Sequence, residues 1–130
     1  DCTDAVYLDA SNHQEVLELI QKHDLVISYL PPFLHMKIAK PCLEAGKNMV
    51  TASYISPEMR ALDEEVKSKN LIFFNEIGLD PGIDIMSTMK VKDEVEKWGG
   101  KIVGYESWCG GLPDALYADN PLAYKFSWAP

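Results

Sequence analysis

Asp24-Leu25-Val26-Ile27-Ser28-Tyr29-Leu30-Pro31-Pro32 is the stretch on which the fold turns. Its apolar residues run without alternation, as a strand covered on both faces requires, and Pro31-Pro32 stops it because proline cannot donate to a ladder. The same unit recurs on either side. Upstream, Ala5-Val6-Tyr7-Leu8 ends at Asp9 as a short buried strand. A helix over 12–22 follows: Ser11 and Asn12 offer caps, Gln14 and Glu15 stand three positions after them, and Val16, Leu19 and Ile20 keep helical spacing. Downstream, Leu34, Ile38 and Cys42 form a helical stripe closed by Gly46. Pro41 sits inside that stripe, where a proline costs about 3 kcal/mol and usually kinks the helix. Asn48-Met49-Val50-Thr51-Ala52-Ser53 is the third strand. Ser56-Pro57-Glu58 then starts a helix that buries Met59, Leu62 and Val66 and runs to about Asn70. Leu71-Ile72-Phe73-Phe74 is the fourth strand.

Alternating strands and helices with unbroken apolar strands mark a parallel sheet covered by helices, so the fold class is α/β, the second half of a Rossmann-type domain. The pattern changes after Asn75. Gly78-Leu79-Asp80-Pro81-Gly82 reads as a turn with Pro81 and Gly82 in its central positions. A helix from about Asp84 to Trp98 follows, with Ile85, Thr88, Val91, Val95 and Trp98 on one face, and then a strand over Lys101–Trp108. Residues 113–130 show no clean period. The glycine fingerprint G-x-G-x-x-G, which a first strand–helix unit would carry, is not in this sequence. The last residues, Ser127-Trp128-Ala129-Pro130, do not read as a domain's close, so an internal piece of a longer polypeptide is expected.

Apolar residues make up 47% and charged residues 25%, an ordinary globular balance. No apolar run reaches the roughly 20 residues of a bilayer span, and Asp1-Cys2-Thr3-Asp4 does not resemble a signal peptide, so no membrane partner is expected. A net charge of −8 argues against nucleic acid, whose phosphates need clustered Lys and Arg. Cys2, Cys42 and Cys109 show no metal-ligand spacing and are an odd number, so free thiols in a reducing compartment and no metal site are expected.

An open parallel sheet binds ligands at the carboxyl ends of its strands. Those ends carry Ser28 with the loop to Phe33, Ser53-Tyr54, and Asn75-Glu76 leading to Asp80. A dinucleotide would place Asp9 on its adenosine side and the Ser28–Phe33 loop along phosphates and nicotinamide; equally, Asp9 caps a strand end and the prolines only block extension. Asp80 is either an Asx-turn acceptor or a carboxylate facing an amine or imine. Cys109 has no nearby His or Lys to lower its pKa, and by itself reads as a buried structural thiol. His13, His23 and His35 fall on helices or their ends and read as surface or capping residues. Trp98, Trp108 and Trp128 read as core or interface aromatics.

Four ordered blocks add a resemblance that spans the chain: Asn48–Pro57, Glu76–Asp84, Trp108–Pro113 and Asp119–Trp128. Together they resemble the saccharopine dehydrogenase family, glutamate-forming type. The resemblance implies residues 1–77 as the C-terminal part of a dinucleotide-binding domain and residues 78–130 as the beginning of an α+β substrate domain. It also implies NADP-dependent interconversion of saccharopine with L-glutamate and 2-aminoadipate 6-semialdehyde. Tyr54, Asp80 and Cys109 would serve catalysis and, with Ile55, hold the substrate. Asp9, Ser28, Leu30, Pro31, Pro32, Phe33, Ser53, Leu79, Asp80 and Ser127 would contact NADP. A cytoplasmic enzyme is implied, or a mitochondrial one if fused to lysine-ketoglutarate reductase, and a homodimer is open. The sequence departs from the family's pattern at Ile85, where a histidine is usual, and at Trp108, where a tyrosine is. Both leave room for another imine substrate, such as a polyamine precursor, or for a binding module without turnover.

Overall fold

The computed structural model describes residues 3–125. In chain order it contains α1 (His13–Gln21), β1 (Leu25–Ser28), a 3-10 turn (Pro32–Leu34), α2 (His35–Ala45) and β2 (Asn48–Thr51). There follow α3 (Pro57–Arg60), α4 (Asp63–Ser68), β3 (Phe73–Phe74), α5 (Ile83–Lys97) and a 3-10 turn (Ala115–Tyr117). The three strands form one sheet in the order β1-β2-β3, with both pairs parallel. The Rossmann-like α/β reading therefore holds, and β2 is the central strand.

Local chemistry accounts for the elements that match the sequence reading. Asn12 caps α1: its Oδ1 accepts from the Glu15 N–H at 3.4 Å while its Nδ2 donates to Glu15 Oε1 at 2.6 Å. Gly46 ends α2 in the left-handed conformation at φ +66°, and the next N–H, that of Lys47, closes onto Cys42 O at 2.8 Å. A residue with a Cβ would be strained there. Pro41 stays inside α2, with its ring fully buried, and the helix continues past it to Ala45. The single helix expected from Ser56 to Asn70 is two short ones. Ser56 accepts from the Met59 N–H at 3.1 Å to start α3, and a turn at Ala61 and Leu62 separates it from α4.

Val16 and Ile20 of α1, Ile38, Ala39 and Cys42 of α2, Met49 of β2 and Met59 of α3 form the core. Cys42, on the helical stripe the sequence suggested, is a buried free thiol of that core; Cys2 lies outside the described residues.

Several expectations need correction. Ala5–Leu8 forms no strand and no ladder bonds, and Val6 and Tyr7 are exposed. Lys101–Trp108 is likewise irregular and exposed. Apolar composition suits both for strands, but a strand exists only by pairing, and neither segment has a partner among the described residues. The other strands shorten at their ends for the same reason: the ladder stops where the neighbour's does, most of all at β3. The face of α5 expected to be buried is mostly open, with Ile85, Val91 and Trp98 exposed and only Thr88 and Val95 partly covered. Trp98 and Trp108 are not core residues, and Trp128 lies outside the described residues.

Met49 is 1% exposed at the junction of sheet and helices. Met49→Ala should destabilise the full-length protein by about 2–5 kcal/mol, the usual cost of a core cavity, read as a lowered urea midpoint at unchanged slope.

Candidate active site

Two polar clusters stand at the carboxyl edge of the sheet. The first is built by strand register. Ser28 ends β1 directly opposite Thr51, which ends β2, and both side chains are buried. His35, the first residue of α2, lies between them and is 5% exposed. Its Nδ1 is 2.9 Å from Ser28 Oγ; its Nε2 is 3.0 Å from Thr51 Oγ1 and 2.7 Å from Ser53 Oγ. Burial away from water pushes the imidazole below its ordinary pKa, so the ring is neutral at neutral pH. A neutral imidazole offers one donor and one acceptor, which the hydroxyls on its two sides match.

The surface-or-cap reading of His35 is therefore wrong. The signal was present: His35, Ile38, Ala39 and Cys42 stand at i, i+3, i+4 and i+7, so the histidine lies on the helix's own buried stripe. His13 and His23 are exposed as read, with His13 Nε2 at 3.0 Å from Glu44 Oε2.

Beyond β1 the chain leaves the sheet. Leu30 packs against the core, while Tyr29, Pro31, Pro32 and Phe33 face outward. Asp9 accepts from the Ser11 N–H at 2.8 Å, a local turn ahead of α1. Beyond β2, Tyr54 is exposed and the partly buried Ile55 donates its N–H to Glu76 Oε1 at 3.1 Å.

The second cluster is tied to the same edge through the backbone. The Ile77 N–H donates to Thr51 O at 3.2 Å and the Glu76 N–H to Ser53 O at 3.0 Å, so the chain after β3 runs beside the end of β2. It then folds tightly on itself. The Gly78 N–H donates to Pro81 O and the Ile83 N–H to Gly78 O, each at 2.9 Å, and the Asp80–Pro81 peptide is cis. Gly82, at φ +148°, is obligatory: a Cβ there would fall 2.2 Å from Gly78 O. Asp84 braces the loop from its far end, its Oδ1 accepting from the Gly82 N–H two residues upstream at 2.8 Å.

Asp80 is left exposed, and its carboxylate accepts a hydrogen bond from the Cys109 thiol. That bond is the main cause of a raised Cys109 pKa, because it stabilises the protonated thiol and places negative charge beside the thiolate. Cys109 is exposed, not buried as its composition alone suggested, because the segment carrying it has no sheet to join. Tyr105 and Thr88 were not expected here. Their hydroxyls are 2.9 Å apart, and hydrogen bonds from Ser107 and Thr88 draw the phenol pKa down while Asp84 and Asp80 oppose the shift.

The structure thus joins Ser28 to Ser53 through His35, and Asp80 to Cys109 directly. Leu79 is exposed beside Asp80, Asp9 is engaged locally, and Ser127 lies outside the described residues. Among the described residues no three His, Cys, Asp or Glu side chains converge as metal ligands.

Parallel strands packed on helices, with polar side chains gathered at their carboxyl ends, define a Rossmann-type ligand-binding unit. Residues 2–73 match the saccharopine dehydrogenase NADP binding domain and residues 78–130 the saccharopine dehydrogenase C-terminal domain. The chain belongs to the saccharopine dehydrogenase family. It is 42% identical over 125 residues to the saccharopine dehydrogenase [NADP(+), L-glutamate-forming] of Saccharomyces cerevisiae, and 48% identical over 112 residues to the mitochondrial alpha-aminoadipic semialdehyde synthase of Mus musculus. These alignments take in 96% and 86% of this chain, but only 28% and 12% of those proteins. The apo saccharopine dehydrogenase structure from the same yeast superposes with a TM-score of 0.78 at 41% identity, over 97% of this chain and 28% of that one.

The Asp80–Cys109 bond makes a measurable difference between the thiols. In the full-length protein Cys109 should alkylate slowly at neutral pH, and Asp80→Asn should move the midpoint of the pH–alkylation curve downward. An unmoved midpoint would remove Asp80 as the cause. Cys42, pushed up to about 12 by burial, should stay unreactive until the protein unfolds.

Proposed function

We propose that this chain is the junction segment of an NADP-dependent, L-glutamate-forming saccharopine dehydrogenase. In this reading residues 1–77 complete the cofactor-binding sheet and residues 78–130 begin the substrate domain. The observation that carries it is the backbone link from Thr51 and Ser53 to Ile77 and Glu76, which sets the Asp80 loop against the strand ends where a dinucleotide would lie.

The edge suits that cofactor. Ser28 and Ser53 supply fixed hydroxyls, and Tyr29 and Phe33 supply exposed flat surfaces for a nicotinamide or ribose face. Leu30, Pro31 and Pro32 shape that wall, Leu79 approaches from the substrate side, and Asp9 lies toward the adenosine; Ser127, a cofactor contact by resemblance, lies outside the described residues. When bound, NADP accepts or returns a hydride.

The chain's own residues orient the substrate. In the oxidative direction saccharopine loses a hydride from the carbon of its secondary amine and a proton from the nitrogen. Water then adds to the resulting C=N bond and the C–N bond breaks, giving glutamate and the semialdehyde. Asp80, exposed and charged, attracts the substrate's ammonium. Cys109, kept as a thiol, donates its one proton to Asp80 and holds that carboxylate in place. Tyr54 and Ile55 line the opposite wall.

A cytoplasmic enzyme fits this reading, or a mitochondrial one if the same polypeptide carries a lysine-ketoglutarate reductase; a homodimer is compatible with either. The mitochondrial name of the mouse relative supports the second location.

The full-length protein should reduce NADP with saccharopine, followed by nicotinamide absorbance. Turnover of another secondary amine but not saccharopine would move the substrate elsewhere in the family, and no turnover with intact NADP binding would leave a binding module. Asp80→Asn should lower kcat/KM for saccharopine by about 10- to 100-fold, the loss of a hydrogen bond to a charged group, and weaken NADP much less. Equal loss of both would place Asp80 in a structural role.

A further inference from the structure

We propose that His35 is a positioning residue for the dinucleotide, clamping the two loops that leave the carboxyl ends of β1 and β2 so that Ser28 and Ser53 present their hydroxyls at one fixed spacing and with opposite polarity toward the ring. The inference rests on the reading of this edge as an NADP site.

The β1–β2 register runs from Leu25 opposite Asn48 to Ser28 opposite Thr51, and after that pair the two chains part into the Tyr29–Phe33 and Ala52–Ile55 loops. Backbone hydrogen bonds no longer fix one loop against the other beyond that point. The imidazole spans the gap, reaching Ser28 with Nδ1 and both Thr51 and Ser53 with Nε2. Thr51 is held from a second side, since its Oγ1 also accepts from the Ser53 N–H at 3.2 Å. The ring is anchored from behind, because the rest of its helix stripe, Ile38, Ala39 and Cys42, is core.

Polarity follows from proton counting. A neutral imidazole carries one N–H, so when Nδ1 donates to Ser28, Nε2 accepts from the hydroxyls of β2's end; in the other tautomer both directions reverse. The serines are therefore not independent. Whichever is donor toward the ring has its lone pairs free for a ligand, and the other has its proton free. Burial keeps the ring neutral and thus keeps this pairing complementary. A flanking residue that orients groups contacting a ligand, without touching the ligand, commonly changes affinity by about tenfold or more when removed.

The test uses the full-length protein and NADPH binding followed by nicotinamide fluorescence, with thermal melting and saccharopine kinetics alongside. His35→Phe keeps a flat ring and removes both polar contacts. His35→Gln keeps an amide near the Nε2 position, and so retains the Thr51 and Ser53 side. His35→Phe should raise the NADPH Kd by about tenfold or more, with a smaller rise for His35→Gln. In both, the KM for saccharopine and the kcat at saturating NADP+ should stay near wild type. If His35→Phe binds NADPH as wild type does, the inference is overturned. It is overturned equally if both variants lose NADPH and saccharopine affinity together in step with a lowered Tm, since that is the mark of a merely structural histidine. A wild-type protein that binds no NADPH overturns this inference and the proposed function together. One that binds NADPH but turns over no saccharopine overturns only the substrate assignment, and leaves the His35 comparison decisive.

Discussion

The register of β1 on β2 is the constraint from which the rest follows. Pairing Leu25 with Asn48 and Ser28 with Thr51 puts two hydroxyl residues side by side where both strands stop. It also fixes which β2 side chains are fully buried, because successive residues of a strand point to opposite faces. Met49 and Thr51 are the buried pair; Met49 completes the core under α1 and α2, and Thr51 meets His35. A slip of one residue would exchange a methionine for an asparagine or valine in the core and leave His35 facing no hydroxyl. Packing and polar satisfaction therefore select the same register, and that agreement is what makes the edge a defined site.

The two clusters at this edge obey different electrostatics. His35 lies in a dry environment, so its protonation state is set by desolvation and its partners are neutral hydroxyls. Asp80 and Cys109 sit in the open, where water screens charge and a hydrogen bond, not burial, decides the thiol's pKa. The buried cluster is thus suited to holding geometry, the exposed one to meeting a charged substrate. Both stand on the central strand: one through its side chains, the other through the carbonyls of Thr51 and Ser53.

The sequence reveals some of this and conceals some of it for identifiable reasons. Caps are local chemistry, so Asn12, Gly46 and Ser56 could be read from neighbours three or four positions away, and each is where the reading put it. The order of parallel elements followed from unbroken apolar runs. Ala5–Leu8 and Lys101–Trp108 failed because a strand depends on a partner that a one-dimensional pattern does not display. His35 differs from its residue type's usual place for another reason: it falls on the buried stripe of α2 with Ile38, Ala39 and Cys42. Cys109's bond to Asp80 crosses 29 residues and has no local signal at all.

The same dependence on partners explains the exposed apolar surface. Leu25 and Ile27 are 48% and 56% exposed on the outer edge of β1, and α5 buries no residue completely. A free edge with apolar side chains is costly in water and prone to pairing. Val6 and Leu8, with Tyr29 and Leu30, line a groove of about 450 Å³ beside that strand, whose walls include Val16, Ile20 and Ile38. Residues 5–8 share no ladder hydrogen bonds with that edge. Ordering is therefore unequal across the molecule: β2, paired on both sides, is held by ladder and core together, while β1 is held on one side only. His35 reinforces that weaker strand at the end where the site begins, linking Ser28 to the better-held Thr51 and Ser53 through buried hydrogen bonds.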